Sequence, residues 1–259
     1  MFILAVLVST SCERLAHDAS GYRVRGIDIS HYQGEVDWKE LAYAGGHDFV
    51  FIKATEGRSL RDKNFDHNWS SAKRAGLRRG AYHFFRPEVA PETQASLFIA
   101  TVDLQPGDFP PVLDVEKSGH LNSEQLVTAI NAWSEVVELR YGVRPIIYTG
   151  QNFYNRYLAG KIDDYPLWLA RYDRSRPVTA CGRPYQFWQY SDEGESKGVV
   201  GAIDQNVFTG SYAELVALTI PTEPLIEYPE VVDEEVPVVE HYQPELPTHM
   251  DDLASFGVK

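Results

Sequence analysis

The 259-residue chain has little that would build a small cross-linked or metal-held scaffold. Its two cysteines, Cys12 and Cys181, are too few for a disulfide framework or a four-cysteine zinc site. It has no run of eighteen apolar residues, which excludes a spanning helix of ordinary length. Positive charge is scarce: 24 Lys and Arg stand against 37 Asp and Glu, a formal net charge of −13. Phosphate binding needs a basic surface, so nucleic acid is excluded as a main partner. No internal repeat is apparent. What is there, 44% hydrophobic and 24% charged residues, suffices for one large globular domain or two small ones.

The charge is unevenly spread. Residues 221–259 hold ten carboxylates against one lysine and six of the fifteen prolines. The body is therefore near neutral, and an acidic, proline-rich tail at 220–259 is expected to be extended and poorly packed. At the other end an uncharged apolar run, residues 2–8, leads into Ser9-Thr10-Ser11-Cys12. A short apolar core ahead of small residues is an export-signal pattern, here of bacterial lipoprotein form, with a lipid anchor at Cys12. Residues 1–22 are read as signal and short linker and 23–219 as the folded domain. The protein is expected to be exported, to the cell envelope or beyond it. With Cys12 lipidated, Cys181 is left as a plain buried or half-buried thiol.

Within the body, short apolar, β-branched or aromatic runs recur at 24–30, 49–53, 80–84, 111–116, 145–149, 167–171, 185–190 and 202–208. Amphipathic segments separate the first six, at 37–44, 65–75, 92–102, 123–141 and 151–158. In the longest, Leu126, Ile130, Trp133, Val137 and Tyr141 return at three- and four-residue spacing, which is one buried helix face. Alternating strands and helices argue for a parallel sheet, and about eight strands for a barrel. The last two intervals are short and glycine-rich, with no length for regular helices. The expected fold is α/β: an irregular, incomplete TIM-like β/α barrel with about eight strands and five to six helices. Its final strands should be joined by loops or hairpins.

The active site of such a barrel lies at the carboxyl ends of its strands, so polar residues should appear where the apolar runs stop. Side chains alternate faces, so Gly26, Asp28 and Ser30 share one face of the first strand. By the same parity Asp114 and Glu116 share a face of the fourth. Asp204 follows Ile203 in the last strand, and the second runs out into Glu56. Singly, each has an ordinary explanation, as a turn cap or a solvated side chain. Burying a carboxylate in an apolar strand costs several kcal/mol unless it is paired, so a shared rim needs a common cause. Like charges crowded there raise one pKa and leave another group ionised, which is what glycosidic-bond cleavage requires.

Aromatic residues Tyr82, Phe84, Tyr148, Trp168, Tyr172, Trp188 and Tyr190 fall in or just after the same strand ends, where apolar sugar faces would stack. Tyr148 and Trp188 are read as sugar platforms and Trp168 as core. His31 and His83 lie near the groove and are read equally as structural residues or contacts. Clustered carboxylates alone can hold a divalent metal, but no His or Cys ligand spacing supports one.

The ordered set Gly26-Ile27-Asp28-Ile29-Ser30-His31-Tyr32-Gln33-Gly34, Phe51-Ile52-Lys53-Ala54-Thr55-Glu56-Gly57, Gly80-Ala81-Tyr82-His83-Phe84, Leu113-Asp114-Val115-Glu116 and Phe187-Trp188-Gln189-Tyr190 resembles glycoside hydrolase family 25. These are the N-acetylmuramidase lysozymes, and the likeness runs over roughly residues 23–210. It implies cleavage of the β-1,4 bond between N-acetylmuramic acid and N-acetylglucosamine, without a cofactor. It implies Glu116 as the general acid, and Asp114 as a partner that orients the substrate's acetamido group or attacks directly. Asp28 and Asp204 match the remaining acidic residues of the groove, and Tyr82, Tyr148 and Trp188 the sugar subsites. Phe84, Glu56 and Tyr172 complete the substrate-binding candidates. The expected partner is a peptidoglycan strand, met by a monomer. Residues i and i+2 on a strand have Cα atoms about 6.6 Å apart, between the carboxyl separations of retaining and inverting enzymes, so the stereochemistry stays open. A chitinase-like hydrolase and a catalytically silent glycan-binding module are the rival readings.

Overall fold

The computed structural model describes residues 18–221, Arg174 excepted. Its strands are β1 Val24–Ile29, β2 Phe49–Glu56, β3 Leu60–Arg61, β4 Arg78–Phe84, β5 Val112–Asp114, β6 Ile146–Gly150, β7 Leu167–Ala170, β8 Phe187–Gly194 and β9 Ile203–Phe208. β1 pairs with β2 on one side and β9 on the other, so eight strands close into a barrel. The short β3 pairs only with β2. Ring neighbours from β1 to β8 run parallel. β9 is antiparallel to both β8 and β1. All eight expected strands are present. The sheet itself closes, and the irregularity lies in the reversed strand and in the helix layer.

The helices are α1 Trp38–Ala44, α2 Phe65–Arg74, α3 Pro91–Thr101, α4 Ser123–Tyr141, α5 Gln151–Phe153 and α6 Tyr212–Ala217. α5 runs on into a π-helical turn, Tyr154–Leu158. Among the described residues no helix joins β7 to β8 or β8 to β9. α4 shows how local sequence sets an element. The Asn122 side chain accepts from Gln125 N and the Gln125 side chain accepts from Asn122 N, a reciprocal cap. The helix stops at Gly142, whose φ of 70° suits glycine. Leu126, Ile130, Trp133 and Val137 are buried beneath it, on the face that the spacing specified.

Strand side chains sort by parity into two layers. Ile27, Ile29, Val50, Ile52, Leu113, Ile147 and Leu169 belong to the layer that packs against the helices. Phe49, Phe51, Phe109, Trp168 and Phe187 form a second cluster that fills the lower barrel. Each buried ring removes roughly 150–250 Å² from water, worth about 4–6 kcal/mol at ~25 cal/mol per Å² before entropy is charged. Two glycines make room for them. A Cβ at Gly26 would lie 2.3 Å from the Phe49 ring, and one at Gly80 2.4 Å from Phe51. Leu215 of α6 joins the same cluster, so the last helix covers the base of the barrel.

At the amino end a 3-10 turn, Asp18–Gly21, packs on the wall: Ala19 is buried with Trp188, Tyr190 and Val207. At the carboxyl end Ile220 N donates to Asp108 O at 2.8 Å, and Gly107 N donates to Ile220 O at 2.9 Å. Cys12 and residues 222–259, on which the anchor and tail expectations rest, lie outside the described residues. Cys181 corrects its expectation: it is exposed, with Sγ 3.5 Å from the Tyr154 hydroxyl. It sits in the loop between β7 and β8, where no helix covers it. No described helix is long and apolar enough to cross a membrane.

Candidate active site

Inward-facing positions turn from apolar to polar toward one end of the barrel. β1 presents Gly26 and then Asp28; β2 presents Phe49, Phe51 and then Lys53; β8 presents Phe187 and then Gln189. β5 presents Val112 and Asp114, and Glu116 follows two residues past its end. That end is a cavity of about 290 Å³ in whose wall Asp28, Asp114, Glu116 and Asp204 all stand. Because β9 is reversed, Asp204 lies at the start of its strand and pairs in register with Asp28. The volume is at the small end for ligand clefts.

Asp28 is held by two amides. Its Oδ2 accepts from Gln189 Nε2 at 2.8 Å and from Asn206 Nδ2 at 2.7 Å. The Gln189 Oε1 accepts the hydroxyls of Tyr148 at 2.7 Å and Tyr172 at 2.8 Å. Asn206 Oδ1 accepts Trp168 Nε1 at 2.8 Å. With both amide oxygens taken, both amide N–H groups must face Asp28. Burial holds the Asp28 pKa above its ordinary value, and these N–H groups and Asp204 offset only part of that rise. Asp204 is pushed up to about 9, by burial first and then by the charge of Asp28 and its hydrogen bond to it. The pair therefore holds a proton at neutral pH, on Asp204, with Asp28 as the carboxylate.

Asp114 is 6% exposed, and its carboxyl is held well above the usual range by burial first and then by the charge of Glu116. Lys53 only partly opposes this. The Oδ1 atom of Asp114 is buried without a hydrogen-bond partner, a cost of roughly 1–3 kcal/mol that a ligand N–H would remove. Glu116 stands at the mouth and reaches solvent. Protein crowded around its carboxyl raises its pKa, and the charge of Asp28 adds to that against Lys117, Lys53 and the Tyr148 hydroxyl. It keeps its proton to higher pH than a free glutamate. A carboxyl at the mouth with a raised pKa and a hydrogen-bonded carboxyl deeper in are the parts of acid-catalysed glycoside cleavage.

The family model for glycosyl hydrolases family 25 matches residues 27–199. The chain belongs to that family. Among its relatives, Lysozyme M1 of Streptomyces globisporus is 38% identical over 215 residues, covering 78% of this chain and 72% of the relative. The uncharacterized protein YegX of Escherichia coli (strain K12) is 44% identical over 202 residues, 76% of this chain and 74% of YegX. The solved bacterial lysozyme from Streptomyces coelicolor matches with a TM-score of 0.72 at 37% identity, over 77% of this chain and 98% of that one.

In this family 25 barrel, Tyr82, Phe84, Tyr148 and Tyr172 line the cavity with the four carboxylates. Trp188 does not. It is fully buried on the outward parity of β8, edge-on to Tyr22 at 6.3 Å, with Nε1 donating to Arg171 O. The inward residues of that strand are Phe187 and Gln189, so the platform role is corrected to a packing role. Trp168, expected in the core, lines the cavity as well as packing under it. Glu56 is also absent from the cavity wall. Burial alone would raise its pKa, but Lys53 at 2.6 Å and the Arg86 guanidinium hold it below the usual range.

His83 points away from the cavity, between Thr55 Oγ1 at 2.7 Å and Gln94 Oε1 at 3.0 Å, and burial lowers its pKa to about 4. His31 pairs with Asp62 at 2.7 Å and ties the loop after β1 to the segment after β3. Neither lines the cavity. Lys53, Gln189 and Asn206 were not foreseen. The available signal was a polar residue on the inward parity of an otherwise apolar strand. Among the described residues, no group of three or more His, Cys, Asp or Glu side chains is disposed to hold a metal ion.

Proposed function

We propose that this family 25 hydrolase cleaves the β-1,4 bond between N-acetylmuramic acid and N-acetylglucosamine of peptidoglycan, with Glu116 giving the proton to the leaving oxygen. Lysozyme and muramidase relatives support the activity. The observation that carries the roles is the meeting of Asp28, Asp114, Glu116 and Asp204 at one cavity. A sugar ring enters over Trp168 and Tyr148. Its acetamido N–H satisfies Asp114 Oδ1, which fixes the ring beneath Glu116. The Glu116 proton passes to the glycosidic oxygen as the C1–O bond breaks. The carboxylate of Asp28, stabilised by its two amide donors, opposes the positive charge that develops on the sugar. Water then adds at C1 and returns a proton to Glu116.

The same reading takes residues 23–219 as the catalytic unit and 220–259 as an acidic tail. It takes the protein as exported, with lipidation at Cys12, acting at or beyond the envelope as a monomer. The apolar run before Cys12 supports export.

The test is to incubate the purified protein with peptidoglycan and identify the sugar at each new reducing end. Muramic acid ends are expected. Glu116→Gln should lower the rate roughly 10²–10⁴-fold with an unchanged melting temperature. Faster cutting of chitin oligomers would favour the chitinase-like reading, and binding to sacculi without turnover the silent module. A Glu116→Gln protein at full rate would refute the assigned role.

A further inference from the structure

The cavity has two unlike arcs. Asp28, Asp192 and Asp204, from β1, β8 and β9, line one. The neighbouring arc, β2, β4 and β5, carries Lys53 on its first strand and Phe84, Arg86 and Lys117 at or beyond the ends of the other two. Lys53 Nζ lies 5.1 Å, Arg86 Cζ 4.8 Å and Lys117 Nζ 5.7 Å from the centroid of the Phe84 ring. Three cations about one ring repel one another unless anions sit among them. The ring attracts each weakly, by about 0.5–1 kcal/mol at an exposed site, and neutralises none. Glu56 pairs with both Lys53 and Arg86. Lys117 is exposed and forms no ion pair among the described residues. Burial raises the pKa of both Asp114 and Glu116, the other carboxyls on β5 and just beyond its end, and the charge of Lys117 opposes that rise at Glu116. Lys53 and Phe84 of this arc line the cavity, and Lys117 stands beside the Phe84 ring at its rim.

Its position relative to the sugar is set by the sheet. Phe84 and Asp114 are register partners on β4 and β5. With the C2 acetamido group at Asp114, the adjacent C3 substituent falls beside that pair. Muramic acid differs from glucosamine by a lactyl ether at O3, a methyl group and a carboxyl on one carbon. The half-buried Phe84 ring suits the methyl and the cations suit the carboxylate. We propose that Lys117, with Lys53 and the Phe84 ring, binds a carboxylate carried on the O3 substituent of muramic acid. The carboxylate belongs to the lactyl group of a peptide-free strand or to the stem peptide of a substituted one. This rests on the muramidase reading and names what distinguishes muramic acid from glucosamine in that position.

The experiment compares kcat and KM on three soluble glycans: peptide-free with free lactyl carboxylates, the same glycan with those carboxylates converted to methyl amides, and peptide-bearing. The wild-type KM should be roughly five- to tenfold lower for the carboxylate than for the amide glycan, the size of a charge-assisted contact less solvent screening. Added salt should narrow the difference. Lys117→Ala should raise KM on the carboxylate glycan by about that factor and change the amide glycan less, and Lys117→Arg should restore the preference.

Equal wild-type KM values, or equal changes on both glycans in Lys117→Ala, would overturn the proposal. Dependence on Lys117 only with the peptide-bearing strand assigns the carboxylate to the peptide; dependence with the peptide-free strand assigns it to the lactyl group. Equilibrium binding of the same glycans to the Glu116→Gln protein reads the preference without turnover. Failure to cleave and failure to discriminate are thus separate results.

Discussion

Asp204 carries a proton that its unfolded counterpart would release, and this makes stability depend on pH in a definite direction. A free aspartate titrates near 3.9, whereas folded Asp204 titrates near 9. Below about pH 4 both states are protonated and nothing is lost. As pH rises from there the unfolded chain ionises and the folded one does not, so stability falls until pH passes the folded value. Asp204→Asn keeps the shape and a hydrogen-bond donor toward Asp28 but cannot ionise. Its melting temperature should match wild type near pH 4 and exceed it at pH 8, with the gap widening as pH rises between the two. A difference that shrinks with rising pH would reverse the assignment of the proton.

At this same scale sequence parity was informative where one face was plainly polar. Asp28, Asp114 and Glu116 were placed correctly because isoleucine, leucine and valine alternate with them. β8 was different: Phe187-Trp188-Gln189-Tyr190 has an aromatic residue on both parities. Only ring closure decides that Gln189 faces in, so Trp188 was misplaced and the amide clamp on Asp28 was missed.

At the scale of elements, the eight barrel strands were legible because each is buried on both faces and reads as an apolar run. β3 has two residues and α6 six, too short for any period to register. The pairing of strands is enforced by volume. Gly26 of β1 abuts Phe49 of β2 closely enough that a methyl group has no space. Gly26→Ala should cost about 1–3 kcal/mol as overpacking, seen as a lower melting temperature by circular dichroism. Adding Phe49→Leu should recover part of that loss. If the two changes are simply additive, the contact does not govern the pairing of β1 with β2.

At the largest scale, that of the described barrel, the carboxylate cavity and the aromatic core occupy opposite ends. The aromatic cluster and Leu215 lie at the base, and the carboxylates lie at the mouth. Leu215 is fully buried, so Leu215→Ala should cost about 2–5 kcal/mol in urea unfolding. Well below its melting temperature, kcat on peptidoglycan should be unaltered. A parallel fall in kcat would mean that the base and the mouth are coupled. The net charge, held mostly by residues 221–259, said little about this division, whereas the order of motifs along the body said most of it.

The reversed last strand has a temporal meaning. Asn206 reaches back 178 residues to hold Asp28, and Asp204 comes from the same strand. A nascent or truncated chain that stops short of Ile203 already contains Glu116 and Asp114 but neither a closed ring nor a steadied carboxylate. Hydrolytic power therefore waits on the last strand, and a chain ending before Ile203 should release no reducing ends from peptidoglycan.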